Sequence, residues 1–316
     1  MLYRHETVLR DEAVEYLQAT KGGTFIDGTL GGGGHAQAIL QAHPETRVVG
    51  IDRDPQALLA AGQRLQAYGD RVRLLHGNFG DLPDLVQAWV SSGVDGVLLD
   101  IGVSSPQLDE AQRGFSYQHE APLDMRMDPQ QEQTAADIVN TATEDELTRV
   151  LREFGEERWA ARIASFIVRA RQQTAIVSTV QLAQLVKEAI PAGARRSGPH
   201  PARRTFQALR IAVNDELGNL ERGLRGALQV LRAGGRLVVI SFHSLEDAMV
   251  KNFFRSSANP CICPPRLGCV CGRKPTMHVL TTKGVRPSSA ELKRNPRARS
   301  ATLRAAERVL SAKENA

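Results

Sequence analysis

The stretch Phe25-Ile-Asp-Gly-Thr-Leu-Gly-Gly-Gly-Gly-His35 runs an apolar segment into Asp27 and then into four consecutive glycines. A backbone without Cβ atoms can turn tightly there and let a ligand approach the main chain. Gly31, Gly33 and Ala36 fit a G-x-G-x-x-A pattern, and Asp52 follows Gly31 by 21 residues. An acid at that separation, ending a second strand, can accept hydrogen bonds from both hydroxyls of a ribose. The chemistry so far is the binding of an adenosine-containing cofactor. NAD and S-adenosylmethionine satisfy it equally well.

A second stretch bears on that choice. Asp95-Gly-Val-Leu-Leu-Asp100 reads as a buried strand ending in a carboxylate, followed by a polar loop through Gln107. In a doubly wound sheet the carboxyl end of such a strand lies beside the cofactor. Ser104-Ser-Pro-Gln107 resembles the D/N/S-P-P-Y loop of enzymes that methylate exocyclic amines of bases, although the stacking aromatic is missing here. In that loop a side-chain oxygen and a backbone carbonyl accept the amine's hydrogens. Two such bonds draw the delocalised nitrogen lone pair toward a nucleophilic geometry. Asp100, Ser104, Ser105 and Gln107 are therefore the candidate catalytic residues; the alternative for Asp100 is a cap on the next turn. His35 could close the glycine loop and is given no acid–base work. Phe79, after the third strand, could pack on adenine or simply join the core.

The elements needed to hold these residues are legible. Strands are expected at 24–28, 47–51, 72–76 and 95–101. Asp54 caps a helix with Pro55 at its first position and Ala57, Leu58, Ala61 and Leu65 on its apolar face. That alternation predicts a parallel sheet covered by helices. Strand signals stop after Asp109. Thr143 and Glu146 form a capping box, and Ser178 with Gln181 opens another helix that ends before Pro191. One long helix is expected over 205–231, stopped by Gly234-Gly235, then a strand at 236–242 and a helix start at Ser244. The organisation expected is an α/β domain of residues 1–107 and 212–316, interrupted by a helical insertion at 108–211 that recognises substrate.

Composition narrows the setting. Hydrophobic residues make up 42% of the 316, ordinary for a globular protein. No apolar run is long enough to span a bilayer and the N-terminus lacks a signal-peptide core, so a cytoplasmic protein is expected. Of the net charge of +5, residues 283–316 carry nine Lys/Arg against three Glu, which leaves the rest near neutral. Such a segment is either a surface that meets phosphates or a solvated, poorly ordered tail. Arg203, Arg204 and Arg210 lie in a stretch, 189–214, without Asp or Glu. With Arg297 and Arg299 they are the candidate RNA contacts; a solvated helix start is the other reading of the first three. Cys261, Cys263, Cys269 and Cys271 form a C-x-C-x5-C-x-C segment. It is open to a metal tetrathiolate, a flexible reduced loop or redox-labile thiols.

The ordered motifs together resemble one family, the MraW family of bacterial ribosomal RNA small-subunit methyltransferases (methyltransferase H). The likeness runs through His5–Leu9, Phe25–His35, Gly50–Ala57, Asp95–Asp109, Arg113–Tyr117 and Pro122–Asp128. It continues through Glu153–Glu157, His200–Leu217, Ser241–Asp247 and Asn295–Ser300. The resemblance implies a class I, Rossmann-like, S-adenosylmethionine-dependent methyltransferase fold with a helical insertion. It implies methylation of cytosine N4 in 16S rRNA, on small-subunit particles near the decoding centre. It implies cofactor contacts at Gly33, Gly34 and His35, with Asp52 on the ribose, Phe79 near adenine, and Asp100 and Gln107 at the active-site end. No metal is required, and the cysteine cluster is not a general requirement of the family, so its role is not inherited. Oligomeric state is left open, a homodimer included.

Overall fold

The structure, a computed structural model, describes residues 6–90, 92–195, 200–264 and 268–309. Seven strands form one sheet in the order β3-β2-β1-β4-β5-β7-β6. They are β1 (Thr24–Asp27), β2 (Arg47–Asp52), β3 (Val72–His76), β4 (Val94–Asp100), β5 (Leu231–Ser241), β6 (Met277–Val279) and β7 (Thr302–Arg308). β1 to β5 are mutually parallel, and β7 runs antiparallel between β5 and β6. The expected doubly wound frame is present, with the first four strands within two residues of their expected bounds. The chain divides into two compact units, 1–102 with 218–316, and 103–217. These edges lie outside the expected insertion bounds of 108–211 and assign the loop at 103–107 to the second unit.

In the first unit, alternate residues of the central strands feed two separate cores. Phe25, Leu98, Val238 and Ile240 pack into one, and Ile26, Val97, Leu99 and Val239 into the other. That is the period of two expected of a sheet covered on both faces. The helices around it include α1 (Arg10–Leu17), α2 (Gly34–Ala42), α3 (Pro55–Leu65) and α4 (Leu82–Val86). Asp54 caps α3 by accepting from the Gln56 N–H, with Pro55 at the first position. No helix among the described residues is long and apolar enough to cross a membrane.

The second unit is helical: α5 (Ser105–Asp109), α6 (Ala135–Thr141), α7 (Glu144–Glu153), α8 (Ala160–Arg171), α9 (Thr179–Ala189) and α10 (Arg203–Asn214). The capping box of Thr143 and Glu146 and the Ser178 cap both form. The unit has its own core, built from Leu147, Leu151, Ile163, Ile167, Leu182, Val186 and Leu209 among others. Asn214 ties its irregular 110–134 segment to α10. Its Nδ2 donates to the Met125 and Arg210 carbonyls at 2.8 and 2.9 Å, and its Oδ1 accepts from the Met127 N–H at 2.8 Å.

Three expectations are corrected. The single helix at 205–231 is two, α10 and α11 (Glu216–Val230), because Asp215 adopts a left-handed conformation at φ 44°. Asp tolerates that region better than most residues because its short polar side chain bonds locally. Gly234-Gly235 does not stop a helix: α11 ends at Val230 and β5 begins at Leu231. The glycines sit within β5 where its register against β4 shifts, and Gly234 has φ 78°. The basic C-terminal segment is no loose tail as far as Val309. It holds α13 (Ser289–Arg294) and β7, and residues 310–316 lie outside the described residues. Arg304 on β7 is buried in a two-bond pair with Asp247 at 2.7 and 3.0 Å, and Arg308 donates to the Leu231 carbonyl.

Replacing Asn214 with Ala removes its bonds to the buried Met127 N–H and Met125 carbonyl. The second unit should lose roughly 2–3 kcal/mol. Chemical denaturation, read alongside hydrogen exchange at the Met127 amide, measures that loss.

Candidate active site

Three neighbouring parallel strands end in carboxylates: β1 at Asp27, β2 at Asp52 and β4 at Asp100. The strand order reverses between β1 and β4, so a crevice opens at their carboxyl ends, where open α/β sheets hold ligands. The glycine loop leaves β1 at this point. The Gly28 N–H donates to the Leu98 carbonyl at 2.9 Å, and a Cβ on Gly28 would stand 2.6 Å from Leu99 Cδ2. Gly31 has φ 50°, and a Cβ there would meet nothing within 4 Å. The space over that backbone is open. Gly33 (φ 76°) is the N-cap of α2 and packs against Ala61 and Leu65 of α3.

Asp52 is fixed by backbone donors. Its Oδ2 accepts from the Gly31 N–H at 2.7 Å and its Oδ1 from the Asp54 N–H at 2.9 Å. Each carboxylate oxygen keeps a second lone pair, which a ribose hydroxyl can use. Burial nevertheless raises its pKa above the usual carboxylate range.

Asp100 is held by its backbone, since its N–H donates to Thr29 Oγ1 at 2.6 Å. Its Oδ1 is buried with no hydrogen-bond partner, and so is Oδ2 of Asp27. Burial, then the charges of Asp27 and Glu246, push the Asp100 carboxyl well above its usual range. Burial pushes Asp27 up to about 7, with the Asp52 charge adding to it, although the Thr29 and Ala36 N–H groups pull the other way. His35, on the first turn of α2, is buried. Its Nε2–H donates to the Val8 carbonyl at 3.0 Å, and Nδ1 faces Asp100 Oδ2 at 3.6 Å, beyond hydrogen-bond range.

This is an acidic crevice short of positive charge. The residues present fit a cofactor that is cationic at its reactive end and carries a ribose. Two buried carboxylate oxygens lack partners, Asp52 is oriented for hydroxyls, and the backbone at Gly31 is uncovered.

Ser104 and Gln107, in the second unit, form a capping box on α5. Gln107 Oε1 accepts from the Ser104 N–H at 3.0 Å, and the Gln107 N–H donates to Ser104 Oγ at 3.5 Å. Ser105 is the first residue of that helix. The ring of Phe79 is 8% exposed and sits in a notch that Gly223 of α11 leaves open. Arg210 is spent on Glu216, with two bonds at 2.7 and 2.8 Å. Arg204 donates to the Glu156 carbonyl at 2.7 Å, while Arg203, Arg297 and Arg299 are exposed. The four cysteines lie together, far along the chain from the glycine loop.

A model of the MraW methylase family matches residues 2–309. The chain belongs to the MraW methylase family. Relatives named ribosomal RNA small subunit methyltransferase H agree with it end to end. The one from Symbiobacterium thermophilum is 58% identical over 316 residues, 99% of each chain. The one from Geobacter sulfurreducens is 55% identical over 311 residues, 98% of this chain and all of that relative. The one from Geotalea daltonii is 53% identical over 309 residues, 97% of this chain and 99% of that one.

Within this member of the MraW family, sequence reasoning missed Thr29 and Glu246 as parts of the site. Glu246, fully buried on α12 (Ser244–Ala258), accepts from the Phe242 and His243 N–H groups at 2.8 and 3.2 Å. His243, not Ser244, is the N-cap, and the H-x-x-E spacing of that capping box was the available signal. Thr29 carries no such signal, because its bond to Asp100 spans 71 residues. Thr29→Val removes the acceptor at nearly constant volume. It should cost about 1–2 kcal/mol in urea unfolding and speed hydrogen exchange at the Asp100 amide.

Proposed function

We propose that the chain transfers a methyl group from S-adenosylmethionine to the exocyclic N4 of a cytidine in 16S rRNA, in the decoding region of the small ribosomal subunit. The observation that carries the site assignment is the pair of buried, unpartnered carboxylate oxygens on Asp27 and Asp100, in a chain of the MraW family. When bound, S-adenosylmethionine supplies a methyl group activated by a positively charged sulfur.

The residues divide the work by their chemistry. Asp52 accepts the ribose hydroxyls, Gly33, Gly34 and His35 border the amino-acid end, and Phe79 walls the adenine region. Asp100 accepts a hydrogen from the target amine and holds its nitrogen in line with the methyl carbon. Most of the acceleration comes from that alignment. Of the loop at 104–107, the Ser104 hydroxyl and Gln107 Oε1 already serve the helix cap. The loop's contribution to the amine is therefore through the Ser105 hydroxyl, a backbone carbonyl or the second lone pair of Gln107 Oε1. The cytosine must be unpaired or flipped, because pairing engages the same amine. The unit of residues 103–217 recognises substrate, and Arg203, Arg204, Arg297 and Arg299 supply phosphate contacts. Arg210 instead braces α10 against Glu216. The reaction belongs to the cytoplasm, where small subunits are assembled.

Asp100→Ala should leave cofactor binding within a few-fold and abolish methyl transfer to small-subunit particles. Transfer is read by mass spectrometry of the target nucleotide, and full activity of this variant would sink the assignment. Naked RNA and DNA, tested alongside, should be poorer substrates than the particle.

The raised pKa values set a pH dependence. Asp27 and Asp100 are held protonated to higher pH than free carboxyls, so their contribution to the stability of the cofactor-free protein is present at low pH. It is lost as pH rises through about 7, the value for Asp27. A bound cation favours the ionised carboxylates, so its binding releases protons near neutrality and tightens with pH. S-adenosylmethionine should gain several-fold in affinity between about pH 6 and about pH 8. S-adenosylhomocysteine, with its uncharged sulfur, should gain little. Calorimetry in buffers of different ionisation enthalpy reads both effects; equal pH responses of the two ligands would contradict the placement of the acids at the sulfur.

A further inference from the structure

The segment between α12 and β6, residues 259–276, contains no helix or strand among its described residues. Its described residues form no core. Ile262 is 68% exposed and Val270 90% exposed, so hydrophobic burial does not hold it. Its four cysteines nevertheless converge, with all four sulfurs within 4.8 Å of one another. The Cys261–Cys269, Cys269–Cys271 and Cys261–Cys271 sulfurs are 3.5, 3.7 and 3.9 Å apart.

Those distances discriminate between chemistries. A disulfide needs its sulfurs at about 2.05 Å, and no pair here is near that. A tetrahedral site with metal–sulfur bonds of about 2.3 Å has sulfur–sulfur edges of roughly 3.8 Å, close to the three edges among Cys261, Cys269 and Cys271, with the Cys263 sulfur within 4.8 Å of each. The backbone is arranged for thiolates as well. The Val270 N–H donates to Cys263 Sγ at 3.3 Å. Arg273 and Lys274 follow the last cysteine and offset the negative charge of a tetrathiolate.

We propose that Cys261, Cys263, Cys269 and Cys271 bind one structural zinc ion as a closed tetrathiolate that folds the 259–276 loop. All four positions are protein ligands, so the site has no open place for substrate or water. Zinc suits the two short C-x-C arms because its filled d shell imposes no angular preference, and the arms leave unequal edges of 3.5 to 3.9 Å. The ion takes over the work that a hydrophobic core does elsewhere, coupling metal affinity to loop order. Pro265 lies outside the described residues; Pro264 directly after the first arm has its φ fixed by its ring.

The test uses the full chain, purified under reducing conditions without chelator. Elemental analysis should find one zinc per chain, falling below about a tenth of an equivalent in Cys271→Ser and in the Cys261→Ser/Cys269→Ser double variant. Ile262→Ser, at the exposed surface of the same loop, should keep its zinc. Cobalt exchanged into the site should give thiolate charge-transfer absorption and the visible bands of tetrahedral coordination. Chelation should open residues 259–276 to protease while the circular dichroism of the rest is retained. Stoichiometric iron in place of zinc, a disulfide among the four cysteines in freshly reduced protein, or four thiols reacting at free-cysteine rates in zinc-supplied protein would each overturn the proposal.

Discussion

Asp27 and Asp100 end adjacent parallel strands; Asp27 is fully buried, Asp100 is half-buried with its Oδ1 out of reach of water, and both have like charges for neighbours. An isolated carboxylate in such a place gives up its charge unless something compensates. The surrounding chain supplies only partial compensation. Thr29 and Ala36 N–H groups serve Asp27, while Thr29 Oγ1 is used on the Asp100 backbone rather than on its carboxyl. His35 spends one ring nitrogen on Val8 and leaves the other 3.6 Å from Asp100. Glu246, held on its own helix cap, adds a further negative charge. The crevice is thus built around a deficit of positive charge, kept in place by the parallel pairing of β1 with β4 and by the tight turn after Asp27.

The rest of the first unit can be understood as holding that arrangement rigid. Gly28 is required because any side chain would strike Leu99, so the loop leaves β1 pressed against the neighbouring strand. Gly33 lets α2 approach α3 closely, which fixes where the helix begins relative to the loop. Asp52 acts as a brace between strand and loop, with one oxygen on the Gly31 N–H and one on the Asp54 N–H. On the far side of the sheet order, β7 enters antiparallel beside β5, so the C-terminal segment completes the sheet rather than trailing from it. Buried pairs such as Arg304 with Asp247 belong to that closure, and removing one partner would strand the other's charge.

Features carried by short-range chemistry were legible in the sequence. The glycine loop, Asp52 at its strand end, the Asp54–Pro55 start of α3 and the caps at Thr143 and Ser178 all follow from spacings of a few residues. What the sequence concealed depends on distant contacts. β7 reads Thr-Leu-Arg-Ala-Ala-Glu-Arg, with few β-branched residues and three charges, and becomes a strand because β5 and β6 pair with it on both sides. Asp215 breaks one apparent helix into two although the apolar pattern runs on across it. Ser104 and Gln107 were read as reaching for a substrate; their spacing of three is equally the spacing of a capping box, and the structure uses it so. Asp27 stood in plain view beside the glycines, but its significance lies in burial beside Asp100, 73 positions away in the chain.

The same acids settle what the glycine loop alone left open. A glycine turn leading into a helix N-terminus suits a pyrophosphate when the neighbouring strand ends are neutral or basic, because backbone dipoles then meet negative charge. Here the loop is ringed by Asp27, Asp52 and Asp100, with Glu246 behind. A nicotinamide dinucleotide would bring two negative phosphates that keep these acids protonated, so it would gain no ionic attraction from them. A ligand joining a ribose to a positively charged sulfur gains that attraction and uses Asp52 in the same way. In the proposed assignment the loop and Asp52 suit adenosine, and the strand ends beside them suit a positive charge on what is attached to it. One backbone frame serves hydride carriers and methyl donors alike, and acids closing β1 and β4 favour the cationic member of that pair.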